Sequence, residues 1–295
     1  MHPLIKSLIK SGPVVTDGSW GTQMQKRGLK RGQNPDSWNL SHADQVREVA
    51  QQYVDAGSQI ILTNTFGASR LSLANFQLAE KTVEINMAGV RISKEAAAGR
   101  AHVFASIGPT GRMLITGETT AEELQNVFEE QANAQARAGA DGIIIETMID
   151  IEEARIAAVA AKQTGLPVIV SMVYDSGEDK DHTMMGNSPE AVVAEISKIG
   201  VDGIGANCGQ GIEAFLPICR RLRQATDLPI WIKPNAGLPE VVDDDVVFRT
   251  TAQEFVQYVP DLIQAGANFI GGCCGTNEKF VQAIRQTVEG MSNVE

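Results

Sequence analysis

Three of the four cysteines fall where they could work together. Cys208 closes one short apolar run, and Cys273 and Cys274 close another, each flanked by glycine. Three thiolates brought to one point make an open tetrahedral zinc site with a fourth position left for substrate. The same spacing also suits three small buried hydrophobes, a common state of free cysteine. Two carboxylates sit in a similar way, Asp17 after Val14-Val15-Thr16 and Glu146 after Ile143-Ile144-Ile145. Such a pair can act as acid and base or hold a ligand ammonium. Equally, each could cap the helix that follows. Cys219 lies in a helical stretch beside Arg220 and Arg221, and Asp141 precedes its strand, so both read as structural.

The elements that must bring these residues together repeat regularly. Runs of β-branched residues occupy 14–17, 59–65, 102–107, 142–147, 168–174, 203–208, 230–235 and 269–273, each followed by a helical stretch. They are nearly continuous in apolar character, as parallel strands covered on both faces require. Helix-ending glycines precede four of them (Gly57, Gly139, Gly200 and Gly266), and prolines open three others (Pro13, Pro167 and Pro229). Glycine permits a left-handed helix end, and proline suits a strand's first residue. Eight such units in 295 residues match a (β/α)8 TIM barrel, expected as a single domain over 1–295. A doubly wound open sheet is the alternative. Its phosphate-binding glycine fingerprint is missing from the turn after the first run, Asp17-Gly18-Ser19-Trp20-Gly21-Thr22. In a parallel barrel all C-terminal strand ends open on one face, which gathers the thiols and carboxylates there.

Composition narrows the function further. A formal net charge of -11 repels phosphate backbones, so no nucleic-acid partner is expected. The short basic stretches 26–31 and 220–223 read as solvated faces. No run is long enough for a membrane span, no secretory signal is evident, and sparse cysteine suits a reduced compartment, so the expected location is the cytoplasm. The four histidines form no ligand cluster. Around His182, Asp179-Lys180-Asp181-His182-Thr183-Met184-Met185-Gly186 lacks the D-x-H-x-x-G spacing of corrinoid-binding domains.

Taken together, the motifs resemble those of the homocysteine S-methyltransferase family. Gly271-Gly272-Cys273-Cys274-Gly275-Thr276 is similar to its most specific signature, and Asn207-Cys208-Gly209 to its other ligand motif. Asp17-Gly18 with Gly21-Thr22, Thr63-Asn64-Thr65-Phe66-Gly67, Glu146-Thr147 and Lys233-Pro234-Asn235-Ala236-Gly237 follow in family order. Within the family the likeness is greatest to the homocysteine-binding barrel of cobalamin-dependent methionine synthases. The resemblance implies zinc on Cys208, Cys273 and Cys274, with the homocysteine thiol in the fourth position. It implies that Glu146 and Asp17 hold the amino group and that backbone N–H groups of Gly18, Ser19 and Trp20 meet the carboxylate. The resemblance also implies that Asn235 lies near the metal when substrate is absent. The product is methionine, and the expected donor is a methyl-corrinoid, carried by a separate protein or free. A small onium donor, S-methylmethionine or betaine, is the alternative. A reading of another class is a non-catalytic zinc- or homocysteine-binding module of a larger complex.

Overall fold

A computed structural model describes residues 1–242 and 245–292. Eight parallel strands form one sheet: β1 (Val14–Val15), β2 (Ile60–Leu62), β3 (His102–Ile107), β4 (Gly142–Met148), β5 (Val168–Met172), β6 (Gly203–Gly211), β7 (Ile230–Asn235) and β8 (Ala267–Ile270). Neighbours pair in chain order, and β1 pairs with β8 in the register Val14↔Phe269 and Val15↔Ile270. The ring closes through Gln59, which donates its N–H to the Val15 carbonyl at 2.8 Å and accepts the Val15 N–H at 3.0 Å. The chain is therefore the expected (β/α)8 barrel. Each helix-ending glycine named above has positive φ, from 78° at Gly200 to 108° at Gly266. Among the described residues no helix is long and apolar enough to cross a membrane.

Alternation along the strands builds the interior in layers. Val14, Ile60, Phe104, Ile144, Ile169, Trp231 and Phe269 fill the barrel, and Ile5 of the N-terminal helix Pro3–Ile9 joins this cluster. Side chains two residues further on share the same face. There the sequence turns polar, with Ser106 after Phe104, Glu146 after Ile144, Ser171 after Ile169 and Lys233 after Trp231. β6 contributes no bulk beside Trp231: a Cβ on Gly205 would lie 1.9 Å from the Trp231 carbonyl oxygen. The other strand faces pack against the helices in the larger apolar cluster.

Several strand ends differ from the sequence expectation. β1, β2 and β5 stop at Val15, Leu62 and Met172, short of 17, 65 and 174, β8 ends at Ile270 rather than at Cys273, and β4 runs one residue further, to Met148. At the mouth, backbone groups bond to side chains instead of to a ladder, as when Asn39 Nδ2 donates to the Asn64 carbonyl at 2.7 Å. β6 runs longer than expected. Its pairing with β7 breaks after Asn207↔Lys233 and resumes at Gly211↔Asn235. Cys208 and Gly209 sit in this irregularity with φ of 63° and 69°. Such bulges re-aim a side chain, here the Cys208 thiol.

Candidate metal and substrate site

The three thiols meet. Sγ atoms of Cys208, Cys273 and Cys274 all lie within 4.8 Å of one another, making the one His/Cys/Asp/Glu group of metal-binding geometry found among the described residues. With Zn–S bonds of ~2.3 Å, a tetrahedral site needs sulfurs roughly 3.8 Å apart, so the trio fits one zinc ion by size and by ligand softness. All three are free thiols, close enough to influence one another. Donation from Cys273 and Cys274 pushes the Cys208 thiol strongly down, helped by the Gly209 N–H and the Asn235 side chain. Their contacts with Cys208, together with burial, push the other two thiols up. Cys219 is elsewhere, buried in the helix Phe215–Ala225, and burial pushes its thiol up to about 12.

A cavity of about 330 Å³ opens beside the sulfurs. Cys208, Cys273 and Cys274 form one wall, with Gly18, Ser19, Trp20, Ser106, Glu146 and Lys233 among the others. Glu146 is 8% exposed and accepts the Ser106 hydroxyl on Oε1 at 2.6 Å. Burial raises its pKa, against the opposing pull of the Lys233 charge and the Ser106 hydrogen bond. The helix-cap reading of Glu146 fails, because Asp150 caps the following helix Ile151–Lys162.

Asp17 is also no helix cap: the N-cap of the helix Gly21–Lys26 is Trp20, and the Thr22 N–H in its first turn goes to Ser19 Oγ at 3.3 Å. It lies beneath the cavity, fully buried, ion-paired with Lys233. Its Oδ2 accepts from Trp20 Nε1 and from the Leu62 N–H, both at 2.8 Å. The turn after β1 is tied to the metal loop. Tyr53 donates to the Ser19 carbonyl at 2.5 Å, the Ser19 N–H donates to Thr276 Oγ1 at 3.1 Å, and Thr276 Oγ1 donates to the Cys273 carbonyl at 2.7 Å. The Ser19 N–H is therefore taken, while those of Gly18 and Trp20 have no acceptor among the described residues. Asn235 stands behind the thiols, donating to the Gly209 carbonyl at 3.3 Å and accepting the Cys274 N–H at 3.0 Å.

Asn207 and Lys233 stand at strand ends where the sequence places them, whereas Ser106 and Ser171 are isolated polar residues within apolar runs, and the signal for them is their even spacing from the interior layer. Neither basic stretch reaches this cavity. Lys26, Lys30 and Arg31 are exposed, and Arg221 pairs with Asp181 and Glu190.

Fold and site define a (β/α)8 barrel with a thiol-walled cavity at its C-terminal face. The family model for homocysteine S-methyltransferases matches residues 14–288, and the chain belongs to that family. It is 27% identical over 296 residues to methionine synthase of Mycobacterium leprae and 25% identical over 303 residues to that of Mycobacterium tuberculosis. The matches cover 93% and 96% of this chain but only 24% and 25% of the relatives, so the chain spans about a quarter of their length. Among solved structures, the homocysteine methyltransferase MmuM from Escherichia coli in its metallated form superposes with a TM-score of 0.81. Sequence identity is 24%, over 97% of this chain and 99% of that one.

Proposed function

We propose that this protein transfers a methyl group to the thiol of homocysteine, giving methionine, with zinc held by Cys208, Cys273 and Cys274. The observation that carries this reading is the convergence of three sulfurs on one wall of a cavity whose other walls hold Glu146 and the turn Gly18-Ser19-Trp20. Zinc in that position would take the substrate thiol as a fourth ligand and keep it deprotonated near neutral pH. The chain's own residues do the rest. Glu146 accepts the substrate ammonium on its free oxygen, with Ser106 fixing the other. The Gly18 and Trp20 N–H groups receive the carboxylate, and Ser19 keeps the turn attached to the Cys273 loop. Asp17 contributes from below, through Lys233 and Trp20. Asn235 fixes the two cysteine-bearing segments against each other. The sulfur lone pair then forms the new S–CH3 bond as the methyl group's bond to its donor breaks, leaving that electron pair with the donor.

For the donor we favour a methyl-corrinoid, bound to a separate protein or free. One observation favours a second reading: Trp20 and Phe66 both line the cavity, and aromatic faces attract onium groups such as S-methylmethionine or betaine. Methionine formation by the zinc-loaded protein, assayed with a methyl-corrinoid and with each onium compound, separates them. Homocysteine binding without turnover on any donor would instead make the chain a binding module.

A further inference from the structure

Thr276 is fully buried, two residues after Cys274, and lies between the metal loop and the turn that follows β1. Its Oγ1 accepts the Ser19 N–H at 3.1 Å and donates to the Cys273 carbonyl at 2.7 Å. Packing follows the same line. A Cβ on Gly18 would lie 3.0 Å from Thr276 Oγ1, and one on Gly272 would lie 2.5 Å from Oγ1 and from Cγ2. Both glycines line the cavity, so a single side chain is wedged between its two walls. The segments are joined elsewhere only at the edges of the turn, among the described residues. The Gly272 N–H donates to the Asp17 carbonyl at 3.0 Å, and Gln23 Nε2 donates to the Thr276 carbonyl at 3.4 Å. Tyr53 holds the Ser19 carbonyl from the opposite side, on the helix Ala43–Asp55. The middle of the turn therefore meets the metal loop through the Thr276 hydroxyl.

We propose that Thr276 couples the metal to the substrate: zinc on Cys273 fixes that residue's carbonyl, and the Thr276 hydroxyl passes the constraint to Ser19 and to the open N–H groups on either side of it. This rests on zinc at the three cysteines and on an amino-acid acceptor, as argued above. A ligand that never touches the metal should then bind more tightly when zinc is present. By linkage, the ligand tightens zinc by the same factor. Thr276 is a positioning residue, since it acts on ligand groups through Ser19 and on the metal through Cys273.

Norvaline, which carries a methyl group where homocysteine has its thiol, is the probe. Calorimetric titration of the reduced zinc-free protein and of the zinc-loaded protein gives two dissociation constants, whose ratio is the coupling. In the wild type the ratio should be about ten. Thr276→Val keeps the γ-methyl and removes the hydroxyl, and should bring the ratio down to about two. Thr276→Ala should do the same and serves if the valine variant does not fold. Thr276→Ser keeps the hydroxyl and should restore the wild-type ratio. A merely structural role would weaken norvaline equally with and without zinc; a ratio that stays at the wild-type value in the valine and alanine variants overturns the proposal. If zinc leaves norvaline binding unchanged in the wild type while homocysteine still binds the zinc-loaded protein, the coupling falls alone. If homocysteine does not bind either, the acceptor reading falls with it.

Discussion

Asn207 and Thr147 hold each other at the mouth of the barrel, across the intervening strand β5. The Thr147 N–H donates to Asn207 Oδ1 at 2.9 Å, and Asn207 Nδ2 donates to Thr147 Oγ1 at 2.7 Å. Ser171, on β5 between them, donates its hydroxyl to the same Oδ1 at 2.7 Å. Thr147 has φ of 62°, a left-handed conformation that costs a β-branched residue roughly 1–2 kcal/mol. The paired hydrogen bonds offset that cost. They also fix the Asn207 amide, whose Nδ2 lies 3.9 Å from Cys273 Sγ. One side chain thus links a strained strand end to a candidate metal ligand.

Asn207→Ala should therefore lower both stability and metal affinity. It leaves the Thr147 N–H without an acceptor and releases Cys273 from its neighbour. Groups that orient ligands from behind typically matter ten- to a hundredfold in affinity. Competition for zinc against a chelator of known affinity measures the loss, and affinity equal to the wild type would refute this role.

Alanine at Cys208, Cys273 or Cys274 should remove stoichiometric zinc together with methyl transfer, because two thiolates alone leave the tetrahedral site half built. Alanine at Cys219 should leave the zinc content intact. Metal analysis of the four purified variants decides it. A full equivalent of zinc in any of the first three would exclude that cysteine as a ligand.

Glu146→Gln should raise the KM for homocysteine by roughly ten- to a hundredfold, the value of one charged hydrogen bond, while leaving kcat closer to the wild type. The sign of the pH effect follows from the raised pKa of Glu146. Above that pKa the carboxylate is charged and holds the ammonium; below it the contact is lost. Homocysteine affinity of the wild type should therefore weaken on acidification earlier than an ordinary glutamate would allow. The glutamine variant should lack that acid limb, and matching pH profiles for the two proteins would rule out the contact.

The barrel was legible because its signals are local. Apolar runs of strand length, positive-φ glycines at helix ends and prolines before strands each act within a few residues. The three cysteines were legible for the same reason, standing at the ends of such runs. What escaped depends on partners distant in sequence. Nothing near Asp17 announces that Lys233, on the seventh strand, takes its charge, nor that Asp150 leaves Glu146 free of capping. The bulge that turns Cys208 inward was equally hidden, since it arises from pairing with β7 and not from the Asn-Cys-Gly triplet alone.

Asp36 makes the last prediction, one of stability. It is 1% exposed, accepts the Gly67 N–H at 3.1 Å and Asn34 Nδ2 at 3.2 Å, and makes no ion pair among the described residues. Burial pushes its pKa up to about 7, with those hydrogen bonds opposing. A carboxyl that binds its proton more tightly when folded favours the folded state at low pH. That contribution is complete below the unfolded pKa of about 3.9 and declines as pH rises towards 7, above which it is lost. Between pH 5 and 8 the loss amounts to roughly 2–3 kcal/mol. Asp36→Asn cannot titrate, so its stability relative to the wild type should climb by that amount across the same interval. Urea unfolding of both proteins at pH 5 and at pH 8 measures the difference, and a constant offset at the two pH values would show that Asp36 is ionised throughout.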